Sequence, residues 1–202
     1  MNLISAGILA GGKSSRMGEN KARLKYKKET FLDIVAGECA DFYEVMVSVD
    51  DKEKYRDLKY RLVQDEKKEY GPLEGIYQLL RASKTEYVLV VATDMPCIRK
   101  EILNKLAKHI TGEEDCLILC VNGKIQPLCS IYSKKMLSAL EQLRERDEHR
   151  PRELYKLVLA KYIELEELGG DPEVIGNINT KRDYEEMLKH LKVEEEKGNE
   201  TN

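Results

Sequence analysis

Glycines and cations crowd the segment Leu9-Ala-Gly-Gly-Lys-Ser-Ser-Arg-Met-Gly-Glu-Asn-Lys21, close to the start of a 202-residue chain. The adjacent Gly11 and Gly12 let backbone N–H groups turn toward an anion with no Cβ in the way, and Lys13, Arg16 and Lys21 bring the positive charge that a triphosphate requires. The segment reads as a phosphate cradle. Two aspartates further along could complete a site. Asp94 stands between the apolar run Tyr87 to Ala92 and the pair Met95-Pro96, whose ring restricts the turn and aims the carboxylate. Mg²⁺ is satisfied by one or two carboxylates together with phosphate oxygens and water, so Asp94 is the candidate metal ligand; its other reading is a helix N-cap. Asp65, before the run Glu66-Lys-Lys-Glu69, can accept a hydrogen bond from a base or ribose, or can serve as a turn residue. His109, His149 and His190 lie in charged, helix-like stretches and read as solvated or locally paired.

These residues need a frame. Apolar, β-branched runs predict strands at Leu3 to Leu9, Val45 to Val49, Arg61 to Val63, Tyr87 to Ala92, Cys116 to Val121, Leu128 to Tyr132 and Tyr162 to Leu165. Helical spacing predicts helices at Thr30 to Ala40, Leu73 to Ala82, Lys100 to His109, Lys134 to Glu145, Glu153 to Leu159 and Lys181 to Leu191. Alternation of the two through the first two-thirds of the chain is the pattern of a parallel sheet covered on both faces. From Lys124 onward the pattern is less regular and is expected to add an antiparallel edge and an acceptor-binding side. Ligands of such sheets collect beyond the carboxyl ends of the strands, which is where the segments after Leu9, Val63 and Ala92 fall. Gly71-Pro72 and Gly75 allow either close backbone approach or a plain loop before a helix.

The same glycine segment also satisfies the P-loop pattern G-x-x-x-x-G-K-[ST], through Gly7, Gly12, Lys13 and Ser14. A P-loop would end the first strand at Gly7 and place Ile8, Leu9 and Ala10 among the phosphates, although these apolar residues belong in a strand. It would also open a helix at Lys13, where Gly18 and the absence of an apolar stripe argue against one.

With the first strand running to Leu9, LAGGKSSRMGENK resembles the L-A-G-G-x-S-x-R-M-G-x-D-K signature of the molybdenum cofactor guanylyltransferases. Further likenesses follow in the family's order: Asp65 with Gly71-Pro-Leu-Glu-Gly-Ile76, Thr93-Asp-Met-Pro96, Gln126-Pro-Leu128 on the acceptor side, and Asn177-Ile-Asn-Thr180. The resemblance extends to about Leu191. It implies a single doubly wound, Rossmann-like α/β domain of the nucleotidyltransferase type over residues 1–192 that transfers GMP from GTP to the phosphate of molybdopterin with Mg²⁺, releasing pyrophosphate. Carried over by position, it puts Leu9, Ala10, Gly11, Lys21 and Asp65 at GTP, and Asp94 at both GTP and Mg²⁺. Gly12 joins them as part of the cradle. Asn20, Thr93 and Cys97 depart from the family pattern, and Asp50 stands where an asparagine more often faces the nucleotide.

The residue types suit that chemistry. Attack of a phosphate on the α-phosphorus brings anions together, so the task is to neutralise charge and hold the groups in line. The acceptor's second pKa is about 6, so it needs scarcely any base. Arg16 would clamp the departing phosphates with its planar fork, and Lys21 would act as a point charge at the α-phosphate. Arg16, Lys21 and Asp94 are the expected catalytic set. A cytidylyltransferase of the same fold is the nearest alternative; a P-loop GTPase or kinase, and a nucleotide-binding module without catalysis, are the others.

Composition narrows the partners. A net charge of -3 arises from 34 basic and 37 acidic residues without a basic stripe, which argues against a nucleic-acid partner. No apolar run reaches a membrane span's roughly 20 residues, and no basic leader precedes the glycine loop, so a cytoplasmic protein is expected. Cofactor-biosynthesis or molybdoenzyme-maturation proteins are the partners that the resemblance implies. Five cysteines without a C-x-x-C pair read as small buried residues rather than a zinc site or a disulfide framework. The acidic stretch 193–202 has nothing to bury and is expected to be a disordered tail.

Overall fold

The computed structural model describes residues 3–11, 21–26, 28–68 and 70–186. The expectations for Gly12, Lys13, Arg16, the domain boundary at 192 and the tail lie outside these residues. Nine strands are described: β1 (Ile4–Leu9), β2 (Lys25–Tyr26), β3 (Glu29–Thr30), β4 (Val45–Val49), β5 (Arg61–Gln64), β6 (Tyr87–Ala92), β7 (Cys116–Val121), β8 (Lys124–Ser133) and β9 (Ala160–Glu164). Between them run helices α1 (Phe31–Glu38), α2 (Pro72–Ala82), α3 (Lys100–Ala107), α4 (Leu137–Glu145) and the single turn α5 (Pro151–Leu154). The main sheet has the order β5-β4-β1-β6-β8-β7-β9, with β2 and β3 forming a separate two-stranded ribbon.

β8 alone runs against the rest of the main sheet: β5, β4, β1 and β6 are parallel, and β7 and β9 share their direction. The expected antiparallel edge is therefore corrected. β8 is inserted between β6 and β7, and the edge strand is the parallel β9. A hairpin through Asn122 and Gly123, at φ 51° and 72°, makes this possible because both central residues take the left-handed conformation. It also lets β8 begin at Lys124, ahead of the expected Leu128.

Helices cover both faces of the sheet. On one face, α1 and α3 bury Leu32, Val35, Ile102, Leu103 and Leu106 against Ile8, Val47, Leu89 and Val91. On the other, α2 and α4 bury Leu73, Ile76, Leu79, Leu80, Leu140 and Leu143 against Met46, Val88, Val90 and Ile118. This is the doubly wound, mostly parallel Rossmann-like fold, in one domain. Every residue of β6 is buried, as its unbroken apolar sequence predicts. The helix expected over Glu153 to Leu159 shrinks to α5, because Leu154 is its buried residue while Leu157 and Leu159 are exposed. The chain then extends into β9, with the Leu159 N–H donating to Asp115 Oδ2 at 2.8 Å.

Two glycines bring α2 onto the sheet. A Cβ at Gly7 would lie 2.5 Å from Leu79 Cδ1, and one at Gly75 would lie 2.5 Å from Leu9 Cδ2 and 2.8 Å from Ser48 Oγ. Pro72 opens the helix after Gly71, whose φ of 87° favours glycine.

Candidate active site

Register places the candidate residues on one rim. Leu9 lies level with Ser48 of β4 and with Ala92 of β6, so Ala10, Gly11, Asp50, Asp65 and Asp94 all follow the carboxyl ends of adjacent parallel strands. Pairing through Leu9 also removes the P-loop reading, which needs the strand to end at Gly7. The loop after β1 is tethered on both sides: Ala10 N–H donates to Ser48 O at 2.9 Å, and the buried Tyr55 hydroxyl donates to Ala10 O at 3.2 Å. Thr93 donates through both its N–H and its hydroxyl to Leu9 O, each at 3.2 Å.

Asp65 and Gly11 face each other. A Cβ on Gly11 would come within 3.1 Å of Asp50 N and 3.6 Å of Asp65 Oδ2. The Ser48 hydroxyl donates to Asp65 Oδ1 at 2.7 Å, and the Asp65 N–H donates to Val49 O at 2.9 Å. Burial pushes the Asp65 carboxyl up to about 6; the Ser48 hydrogen bond opposes the shift, and the charges of Glu74 and Asp50 add to it. Asp50 is paired with Lys54 at 2.7 Å on the exposed side.

On the other flank, Lys21 opens a short 3₁₀ turn, Lys21–Arg23, and its ammonium donates to Asp94 Oδ2 at 2.9 Å. Asp94 does not cap a helix, since Arg99 is the residue before α3. Asp94 Oδ1 is buried and has no hydrogen-bond partner among the described residues. A buried carboxylate oxygen without a donor is costly unless something else meets it, and a divalent cation is a natural complement. No three His, Cys, Asp or Glu among the described residues form a metal-holding group, so a cation here would take Asp94 and rely on phosphate and water for the rest.

Asn179 is the residue that sequence reasoning did not single out. Its Oδ1 accepts from Lys21 Nζ at 2.7 Å, and the neighbouring Ile178 N–H donates to Asp94 O at 2.8 Å. The segment is anchored just beyond: Thr180 Oγ1 accepts the Asp183 N–H at 3.1 Å while Asp183 Oδ2 accepts the Thr180 N–H at 2.8 Å, a reciprocal cap on the helical residues 181–186. Ile178 packs with Leu24 and Phe31, and Tyr184 meets Phe31 edge-on at 5.8 Å. The Asn177-Ile-Asn-Thr180 motif was the available signal, although its partner stands 158 residues away.

Two histidines are engaged elsewhere. His109 Nδ1 lies 3.0 Å from Lys105 O, His149 packs on Tyr70, and His190 lies outside the described residues. All five cysteines are free thiols; four are buried and Cys97 is partly so.

A doubly wound sheet with Ala10 and Gly11 leading out of its first strand, and a lysine–aspartate pair at the carboxyl end of its central strand, defines an enzyme fold of the nucleotidyltransferase type. Residues 6–164 match the MobA-like NTP transferase domain, and the chain belongs to that family. It is 33% identical over 195 residues to the probable molybdenum cofactor guanylyltransferase of Clostridium perfringens strain 13, covering 94% of this chain and 98% of that protein. It is 32% identical over 198 residues to the protein of the same name from Carboxydothermus hydrogenoformans, covering 96% and 100%. In fold it is similar to molybdopterin-guanine dinucleotide biosynthesis protein A from Archaeoglobus fulgidus, with a TM-score of 0.82 at 20% identity, covering 93% of this chain and 98% of that one. No helix among the described residues is long and apolar enough to cross a membrane.

Proposed function

We propose that this chain transfers GMP from GTP to the terminal phosphate of molybdopterin. An acceptor phosphate oxygen forms a bond to the α-phosphorus, the bond from the α-phosphorus to the bridging oxygen breaks, and pyrophosphate leaves with the electron pair. The observation that carries this reading is the pair of Lys21 and Asp94, 2.9 Å apart at the rim of the sheet, with Asp94 Oδ1 left without a partner among the described residues. Full-length relatives named for this activity support the substrate pair.

Asp94 would hold Mg²⁺, and the ion would supply charge neutralisation at the phosphates. Lys21, steadied by Asn179, would carry its charge at the α-phosphate. Leu9, Ala10 and Gly11 would offer backbone to the nucleoside, with Gly12 continuing the cradle and Arg16 meeting the departing phosphates. Asp65 would accept from guanine N1–H and N2–H₂ together, an adjacent pair of donors, whereas cytosine offers only its N4 amino group beside the N3 acceptor. A protein doing this work belongs in the cytoplasm, where GTP is made and spent.

The test is direct. The protein is incubated with each NTP in turn, Mg²⁺ and molybdopterin, and the dinucleotide and pyrophosphate are identified. A guanine dinucleotide with equimolar pyrophosphate is expected, and GTP should bind at least about tenfold more tightly than CTP, roughly 1.4 kcal/mol. Equal or tighter CTP binding would replace guanylyl by cytidylyl transfer. Release of orthophosphate in place of pyrophosphate would remove the transferase reading altogether.

A further inference from the structure

The Asp65 loop hangs from a buried carboxylate that has no part in the proposed reaction. Glu74, in the first turn of α2, is fully buried. Its Oε1 accepts the backbone N–H of Glu66 at 3.0 Å and that of Lys67 at 3.1 Å, together with Gln78 Nε2 at 2.9 Å. Arg144, in the last turn of α4, closes the far side: its Nε donates to Glu74 Oε2 at 2.8 Å and its Nη2 donates to Oε1 at 3.1 Å. The guanidinium also lies 4.2 Å from the centre of the Tyr77 ring. Lys67 reaches back to the Arg144 carbonyl, and its ammonium lies 4.9 Å from the centre of the Tyr70 ring.

A buried ion pair is a poor source of stability, because desolvation of the charges consumes most of their attraction; packed apolar side chains of the same volume often do as well. What Leu or Met at this position could not do is accept two N–H groups from a loop. β5 ends at Gln64 and α2 begins at Pro72, so Glu66 and Lys67 have no strand or helix to receive their donors. Asp65 is already fixed on its other side by Val49 O and by the Ser48 hydroxyl.

We propose that Glu74, clamped by Arg144, is a positioning residue that fixes the backbone of Glu66 and Lys67 and thereby holds Asp65 toward the nucleotide; this rests on the reading of Asp65 as a nucleotide ligand. Removing the clamp lets the loop relax, and nucleotide binding weakens in the ground state and transition state alike. The effect therefore falls on KM for GTP and spares kcat.

The double variant Glu74→Met/Arg144→Leu removes both charges together and keeps the packed volume, so it should fold, with a melting temperature lowered because the Gln78 amide and the two loop N–H groups lose their acceptor. Hydrogen exchange at the Glu66 and Lys67 amides should accelerate, KM for GTP should rise about tenfold with kcat within about twofold, and nothing further should be lost in an Asp65→Ala background. Glu74→Gln, which keeps an acceptor for the two amides, should hold KM within about threefold of wild type. A folded double variant with wild-type KM, while Asp65→Ala alone raises it, would overturn the positioning role. If Asp65→Ala is itself silent, the nucleotide reading of Asp65 fails and takes the proposal with it. Whether the double variant or Asp65→Ala is the silent one tells the two failures apart.

Discussion

Asp94→Asn should separate activity from stability. The two oxygens of Asp94 differ: Oδ2 accepts from Lys21 at 2.9 Å, while Oδ1 is buried without a donor among the described residues. Asparagine can keep its own oxygen on Lys21, so the geometry survives and only the charge assistance is lost, about 1 kcal/mol. Against this, the buried anionic oxygen gives way to a neutral amide nitrogen, also without a partner among the described residues but cheaper to bury than a charge, so the two effects nearly offset. The melting temperature should therefore stay within a few degrees of wild type. Turnover should not survive in the same way. A neutral amide is a far weaker partner for Mg²⁺, and loss of one preorganised charge contact costs on the order of 10² to 10³ in rate, roughly 3 to 4 kcal/mol. The assay is pyrophosphate release from GTP and molybdopterin across a Mg²⁺ titration, beside thermal melts of both proteins. Full Mg²⁺-dependent turnover in a protein destabilised by several kcal/mol would refute the reasoning, because Asp94 would then be a structural ion-pair partner and no metal ligand.

Asp65 should give GTP binding a pH dependence. Its folded carboxyl sits at about 6, above the ordinary 3.8, so its contribution to stability is complete below pH 3.8 and is lost as pH rises through 6. Asp65→Asn should accordingly melt higher than wild type at pH 8 and match it below pH 4, while wild-type GTP affinity should fall more steeply than the variant's as pH drops through about 6, the variant keeping only the dependence from the terminal phosphate of GTP itself; a parallel pair of profiles would show that Asp65 does not titrate there. Lys21→Ala should lower kcat/KM by about 3 kcal/mol, comparable with an oxyanion donor, and Asn179→Ala by about 1 kcal/mol as Lys21 loses one acceptor; a Lys13→Ala variant that loses more than Lys21→Ala would return the phosphate charge to Lys13. Gly75→Ala should destabilise by about 1 to 2 kcal/mol in urea titrations, overpacking Leu9 and Ser48 after allowance for the helical gain, and should raise KM for GTP by moving the Ser48 hydroxyl off Asp65. An unchanged midpoint would mean that Leu9 and Ser48 yield freely.

Where the chain is apolar without interruption, its sequence pattern set the strand ends closely. β4, β6 and β7 run over the expected residues because strands buried on both faces need no polar alternation to be seen. The expected β8 stopped short because Lys124 and Ile125 are exposed and Gln126 to Leu128 are half-buried, a composition that reads as loop. The position of β8 was beyond local pattern altogether. Alternation marks a strand but not its neighbours, and only the Asn122-Gly123 turn carries a local signal for the hairpin that turns it back along β7. The ribbon of β2 and β3, with two residues in each strand, is too short to show any period.

Site residues divide along the same physical line. The rim positions of Gly11, Asp65 and Asp94 were legible because each follows a parallel strand within two residues, and the carboxyl ends of parallel strands converge whatever the rest of the chain does. Asn179 and Glu74 act by a different logic, through side chains that reach a loop from a distant element. Asn179 meets Lys21 across 158 residues, and Arg144 meets Glu74 across 70. In sequence, Glu74 looks like one more charge on an amphipathic helix; only packing reveals that it is buried and holds two backbone donors. Asn179 also lies beyond residues 6–164, the part matched to the family domain, so the rim of the site is completed by a segment outside that match. The parallel strands thus supply the positions at which a triphosphate can be met. The distant contacts supply the rigidity that lets a lysine and an aspartate face one another across the rim, and rigidity of charged groups is what a reaction between two phosphates demands.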